Sequence, residues 1–80
     1  MLMREKKKYK VITFHTTTEA MNMEKCCGEH QIPGRLIPVP GEIAAGCGLA
    51  WRMTVAEHAQ YEQEMADMGM RFEAVTELLI

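Results

Sequence analysis

Three cysteines are the most reactive side chains in this sequence of 80 residues. Cys47 lies between Gly46 and Gly48, and these small neighbours leave its sulfur open to a bulky partner, such as the thiol of another protein. This context favours a thiol that takes part in exchange chemistry. The alternative is a tight turn in which Cys47 is a small apolar filler, because free cysteine is among the most buried residue types.

Cys26 and Cys27 occur in a different context, since both lie in a segment with helical spacing. Cys27 follows Met23 by one helical turn, which places it on the apolar face and predicts a packing role. Cys26 lies at the flank of this face and could act as a resolving thiol. The odd number of cysteines argues against a structural disulfide and indicates a reducing compartment.

A zinc site is a second way in which these residues could act. Cys26 and His30 are spaced i, i+4, Cys27 and His30 are spaced i, i+3, and Cys47 or His15 could complete a tetrahedral set. No second CxxC or HxxxH pair supplies the usual ligand geometry. We therefore expect neither a metal nor another cofactor.

Composition restricts the class of protein. The chain is 48% hydrophobic with a net charge of -2, which predicts one small domain without room for a deep substrate pocket. Residues 1–10 carry a balance of +4, which leaves -6 for the remainder, so we expect a basic solvated arm at residues 1–8 and a single domain at residues 9–80. Few aromatic residues accompany the basic run, which argues against nucleic-acid binding. No apolar stretch has the length of a membrane span or the character of a signal peptide, and we expect a cytoplasmic protein.

Four strands and two helices are predicted, in the order strand, helix, strand, strand, helix, strand. The strands occupy residues 9–14, 35–40, 49–53 and 72–80, and the end of the last one could equally extend as helix on propensity alone. Pro38 and Pro40 cannot donate ladder hydrogen bonds, which places the second strand at a sheet edge. The commonest fold for this order is a ferredoxin-like α+β sandwich (βαββαβ), in which one antiparallel sheet of order 4-1-3-2 carries two helices on one face.

Each predicted helix begins with the capping-box pattern, a threonine followed three residues later by a glutamate. The first helix starts after Thr16 and ends near residues 28–30, and the second starts after Thr54 and ends before Gly69. His58, among polar residues of the second helix, is expected to be solvated.

This topology brings the candidate site residues to one corner of the sheet. The third strand runs antiparallel beside the first, so the start of the third strand faces the end of the first, and Cys47 is expected close to His15. The N-terminus of the first helix lies at the same corner, where Thr16, Thr17 and Thr18 would stabilise an anion through unpaired N–H groups. A thiolate at Cys47 would be favoured there, with His15 as a nearby donor.

Three segments of the chain are TFHTT at residues 13–17, RLIPVP at residues 35–40 and CGLA at residues 47–50. Together they resemble the small proteins grouped as selenium/sulfur (Se/S) carriers, formerly a domain of unknown function, and the resemblance covers about residues 9–80. The run RLIPVP, followed by a short loop and CGLA, is its specific part. The family often has a basic residue after the second proline, where this chain has Gly41.

The resemblance implies a carrier whose loop cysteine, Cys47 here, takes sulfur or selenium as a persulfide or selenopersulfide and hands it onward. The partners it implies are a cysteine desulfurase or a selenium-delivering enzyme upstream and a selenium- or sulfur-using enzyme downstream. Such a protein would be a relay, not a self-sufficient enzyme. The alternative is a small regulatory or interaction module that uses its sheet edges or outer sheet face, with Cys47 incidental. Two free sheet edges would also allow a homodimer.

Overall fold

The computed structural model describes residues 7–41, 43 and 47–80 of the chain. Within them lie a single four-stranded sheet and two helices: β1 (Lys8–Thr13), α1 (Thr17–Glu29), β2 (Arg35–Pro38), β3 (Leu49–Thr54), α2 (Val55–Asp67) and β4 (Ala74–Leu79). The strand order is β2-β3-β1-β4, and every neighbouring pair is antiparallel. This is the order 4-1-3-2 read from the other edge, so the predicted ferredoxin-like α+β fold is confirmed.

The first helix begins at the predicted cap. The Thr16 side chain accepts a hydrogen bond from the Glu19 N–H at 3.2 Å, as the capping pattern predicts. The Glu19 carboxylate accepts its bond from the N–H of His15 at 2.9 Å, one residue before the cap. The chain is therefore fixed where it leaves β1 as well as where it enters α1.

The second helix follows β3 without a connecting loop. Thr54 is both the last residue of β3 and the N-cap of α2, and the two hydrogen bonds of the capping box link it to Glu57 at 2.9 and 3.0 Å. The helix ends at Asp67, and Gly69 has a φ of +70°, which glycine adopts without strain. Both predicted boundaries of this helix are confirmed.

The edge strands differ in how the sequence specifies them. β2 forms one edge, as its prolines predict, and its register with β3 runs from Arg35 opposite Arg52 to Pro38 opposite Leu49. β4 forms the other edge and is a strand, not the helical extension that propensity allowed. The Glu73 N–H donates to the carbonyl of Thr13 at 2.7 Å and secures the start of this pairing. Nine backbone positions from 72 to 80 were predicted as strand, and the strand spans 74–79.

The hydrophobic core lies between the sheet and the helices. Ile12 of β1 and Trp51 of β3 are cross-strand partners on one face of the sheet. Both belong to a buried cluster that includes side chains of α1 and α2, so the two helices cover the same face. The buried members of this cluster are Ile12, Phe14, Ala20, Met23, Cys27, Ile32, Trp51, Met53 and Met65.

Gly34 allows the chain to pass directly over the Trp51 indole before β2 begins. A Cβ atom at this position would lie 2.5 Å from Trp51 Nε1, and the backbone has a φ of +144°. Both features require glycine. The same close packing leaves the Trp51 Nε1 atom buried without a hydrogen-bond acceptor among the described residues.

Residues 1–6 of the predicted basic arm lie outside the described residues. Lys7 is hydrogen-bonded to Ile80 through both backbone groups, at 3.0 and 2.9 Å. Lys8 is the first residue of β1 and pairs with Leu79. Neither helix in the described part of the chain is long and apolar enough to cross a bilayer.

Candidate functional site

Cys47 lies two residues before the start of β3, at the end of the loop that connects β2 to β3. The loop residues 42 and 44–46, including the predicted site residue Gly46, lie outside the described residues. The Cys47 side chain is half-buried and packs against the hydrophobic core. The thiol is therefore held against the body of the domain and is neither fully buried nor fully exposed.

Two hydrogen bonds to the backbone of Leu49 position the Cys47 sulfur. The Leu49 N–H donates to Sγ at 3.4 Å, and the Sγ–H can donate to the Leu49 carbonyl oxygen at the same distance. The first bond stabilises negative charge on sulfur, whereas the second is available only to the protonated thiol.

Gly48 shapes the backbone beside the sulfur. Its φ is +81°, and its carbonyl accepts a hydrogen bond from the Val39 N–H at 3.0 Å. An added Cβ at Gly48 would meet no atom within 4 Å, so the requirement for glycine here is conformational. This turn directs the chain from the loop into β3.

His15 and the start of α1 lie at the end of β1. Pairing between β1 and β3 ends with Thr13 opposite Ala50, and the same register continued by two residues sets His15 across from Gly48. The His15 ring is exposed, and its Nδ1 lies 3.3 Å from the carboxylate of Glu19. No hydrogen bond joins His15 to Cys47 in the described part of the chain, and the role of His15 as a donor to the sulfur stays a prediction.

The threonines predicted to stabilise an anion are exposed at this helix start, where Thr16 is the N-cap and Thr17 and Thr18 form the first turn. The carboxylate of Glu19 occupies the same region and accepts hydrogen bonds there. Its negative charge partly neutralises the positive end of the helix dipole. From the sequence, Glu19 was assigned to capping alone, and this reduction of the positive potential at the helix start was not anticipated.

Cys27 is the most deeply buried of the three free thiols. Its side chain is fully buried on α1, and its Sγ donates to the Met23 sulfur at 3.5 Å. Burial, reinforced by the neighbouring charges of Cys26 and Glu64, raises the pKa of Cys27 from 9.0 to about 11. The predicted packing role is confirmed.

Cys26 is half-buried on the adjoining flank of α1. It lines a surface depression together with Met68 and Arg71, which follow the C-terminal end of α2. Among the residues the structure describes, no three His, Cys, Asp or Glu side chains come together as a metal site would require.

The expectation of a solvated His58 is wrong. Its side chain is only 12% exposed, with Nδ1 lying 3.4 Å from the Glu62 carboxylate. It lines an apolar cavity of about 100 Å³ with residues that include Met65 and Phe72. The spacing from His58 to Met65 is two helical turns, and this was the available signal that both lie on the inner face of α2.

Comparison with curated proteins and with solved structures finds no match. A family model, described as Putative Se/S carrier protein-like, matches residues 8–77. The match begins at the first residue of β1 and ends within β4, so it includes the first five elements in full, most of β4 and the Cys47 loop. The chain therefore belongs to this Se/S carrier protein-like family.

Proposed function

We propose that this protein carries sulfur or selenium as a persulfide or selenopersulfide on Cys47 and transfers it to a partner enzyme. The observation that supports Cys47 best is the hydrogen bond that the Leu49 N–H donates to its sulfur, at a half-buried position at the end of the loop between β2 and β3. A carrier thiol must be reachable by a second protein and must accommodate negative charge. The half-buried position of Cys47 and the Leu49 N–H support this assignment on both counts.

Loading is a thiol exchange in which no external oxidant is needed. The Cys47 thiolate attacks the outer sulfur or selenium atom of a persulfide or selenopersulfide on the donor enzyme. A new bond forms between Sγ and this atom while the bond from the donor cysteine to the same atom breaks. The donor cysteine leaves as a thiolate with the electron pair of that bond. The outer atom, sulfur or selenium, keeps its oxidation state because it passes from one sulfur to another.

Unloading reverses the roles of the groups. A nucleophile on the acceptor enzyme attacks the outer atom, the bond to Sγ breaks, and Cys47 leaves as a thiolate. Negative charge develops on Sγ in this step, and the Leu49 N–H is already directed at that atom. The hydrogen bond therefore strengthens as the bond to the carried atom breaks, which favours release.

The other thiols are poorly suited to this role. Cys27 is fully buried and its pKa is raised to about 11, so it is almost entirely protonated at neutral pH. Cys26 is half-buried and its reach is limited by its fixed position on α1. That Cys26 acts as a resolving thiol stays a prediction.

The chemistry of the proposal defines the partners. The upstream partner would be a cysteine desulfurase or a selenium-delivering enzyme, and the downstream partner would be an enzyme that uses selenium or sulfur. A free carrier thiol needs a reducing environment, for which the cytoplasm is the proposed location. His15 and the N-terminus of α1 would stabilise the charge of the outer atom if they approach it during transfer.

Mass spectrometry of the intact protein tests the proposal. Wild type, Cys47→Ser and Cys26→Ser proteins would be incubated with a cysteine desulfurase and cysteine, and separately with a selenocysteine lyase and selenocysteine. We expect wild type and Cys26→Ser to gain one sulfur or selenium atom that a reductant removes, and Cys47→Ser to gain none. Equal loading of Cys47→Ser would exclude Cys47 as the carrier residue and favour a regulatory or interaction module.

A further inference from the structure

Two arginines lie directly opposite each other at the end of the sheet remote from Cys47. Arg35, the first residue of β2, is the cross-strand partner of Arg52 in β3. Like charges in such a position destabilise a sheet unless a counterion balances them. Arg52 is five residues from Cys47, roughly 16 Å along an extended chain at about 3.3 Å per residue, so this pair is separate from the carrier loop.

Neither arginine forms a salt bridge with a carboxylate in the part of the chain that the structure describes. The ion pairs found there involve lysine and histidine side chains only. Among the described residues, Glu57 is the one acidic residue that lines the cavity beside the arginines, and its carboxylate accepts the Thr54 N–H at 2.9 Å as part of the α2 cap. Two arginines therefore line this cavity with one carboxylate that is already hydrogen-bonded.

An aromatic ring holds one of the two guanidinium groups. The Arg52 guanidinium carbon lies 4.6 Å from the centre of the Tyr9 ring, within the range of a cation–π contact. Stacking of this kind occupies the face of the guanidinium group and leaves its N–H edge available for hydrogen bonds. Arg52 is thereby oriented before any ligand binds, which reduces the entropy lost on binding.

These side chains line a cavity of about 260 Å³. Its lining includes Tyr9, both arginines and the start of α2 at Thr54, where the helix dipole adds positive potential. We propose that this cavity, named here the Arg35–Arg52 site, binds a phosphate group. Guanidinium groups match the geometry of phosphate oxygens through paired N–H donors, and a phosphate dianion would balance both arginine charges.

Binding measurements with inorganic phosphate and with glycerol 3-phosphate test this proposal. Titrations would use calorimetry or amide chemical shifts, with sodium chloride at matched ionic strength as the reference. The variants would be Arg35→Gln and Arg52→Gln, with Arg71→Gln as the matched control, because Arg71 is exposed and lines a different depression. Each substitution removes one positive charge, so non-specific electrostatic effects are equal among them.

We expect wild type and Arg71→Gln to bind phosphate alike, and each of the other two variants to bind at least about tenfold more weakly, since each loses a charge-assisted pair of hydrogen bonds. Tighter binding of glycerol 3-phosphate would identify a phosphate ester as the ligand, and tighter binding of inorganic phosphate would identify the free anion. An equal loss in Arg71→Gln would overturn the proposal. So would wild-type binding no stronger than that of chloride up to about 10 mM.

Discussion

Alkylation of Cys27 should be much slower in the folded protein than in the unfolded protein, because burial lowers the fraction of Cys27 that is present as thiolate. Burial raises its pKa from 9.0 to about 11. At pH 7 a thiol of pKa 9.0 is ionised in about one molecule in 100, and a thiol of pKa 11 in about one in 10,000. Because only the thiolate reacts, folding should slow the alkylation of Cys27 about 100-fold.

The side chain of Cys27 is also inaccessible, with 0% exposure, which hinders the approach of reagent in the closed structure. A thiol that reacts through local opening has the pKa of the open state, and its protection is then set by how rarely the structure opens. The factor of 100 therefore applies to reaction in the closed structure. Cys47, which is half-buried at the surface, should therefore be alkylated before Cys27.

Timed reaction with iodoacetamide at pH 7, in buffer and in urea, measures both quantities. The Cys26→Ser variant suits the experiment, because it removes the thiol adjacent to Cys27. Cys27 and Cys47 are then the only thiols, and they lie on separate peptides that mass spectrometry resolves. We expect the two residues to react at similar rates in urea and at widely different rates in buffer. The reasoning would be refuted if folding slowed Cys27 by less than about tenfold, because the pKa shift alone predicts more.

Three further predictions concern stability. Gly34→Ala should lower the free energy of unfolding by about 2–4 kcal/mol, because the added Cβ would overlap the Trp51 indole and the backbone has a positive φ. Urea unfolding measures this change. Gly41→Ala is the control, because an added Cβ there meets no atom within 4 Å, and it should change the free energy of unfolding by less than about 0.5 kcal/mol. The stability contributed by protonated Cys27 is present below pH 9.0 and is lost as pH rises towards 11, since the unfolded thiol ionises first. The loss should reach about 3 kcal/mol, and the same pH dependence in Cys27→Ala would disprove this assignment. Thr54→Ala should cost about 1 kcal/mol through loss of the α2 cap, seen as a lower midpoint of thermal unfolding, and an unchanged midpoint would contradict it.

The fold could be predicted because several local signals agree with one topology. Thr16 and Thr54 mark both helix starts, Gly69 marks the end of α2, and the prolines of β2 place that strand at an edge. The end of the chain was ambiguous, since its residues have similar helix and strand propensities. Pairing with β1 decided for the strand, and such long-range contacts leave no local trace in the sequence.

Less of the candidate site than of the fold could be predicted from the sequence. Topology correctly placed Cys47 at the start of β3, but the hydrogen bonds to Leu49 depend on the turn at Gly48, whose φ of +81° no pattern specifies. The partnership of Arg35 with Arg52 depends on strand register, which is fixed by packing across the whole sheet. The predicted contribution of Gly46 lies outside the described residues.

The central claim is that Cys47 both accepts and releases a sulfur or selenium atom. Wild-type protein loaded by a desulfurase, freed of the donor and mixed with an acceptor thiol, would be followed by intact mass and by tandem mass spectrometry of the Cys47 peptide. The account predicts that the added atom is on Cys47 and moves to the acceptor as the mass of the protein returns to that of the free thiol. An adduct confined to Cys26 or Cys27, or one on Cys47 that no acceptor thiol removes, would contradict it.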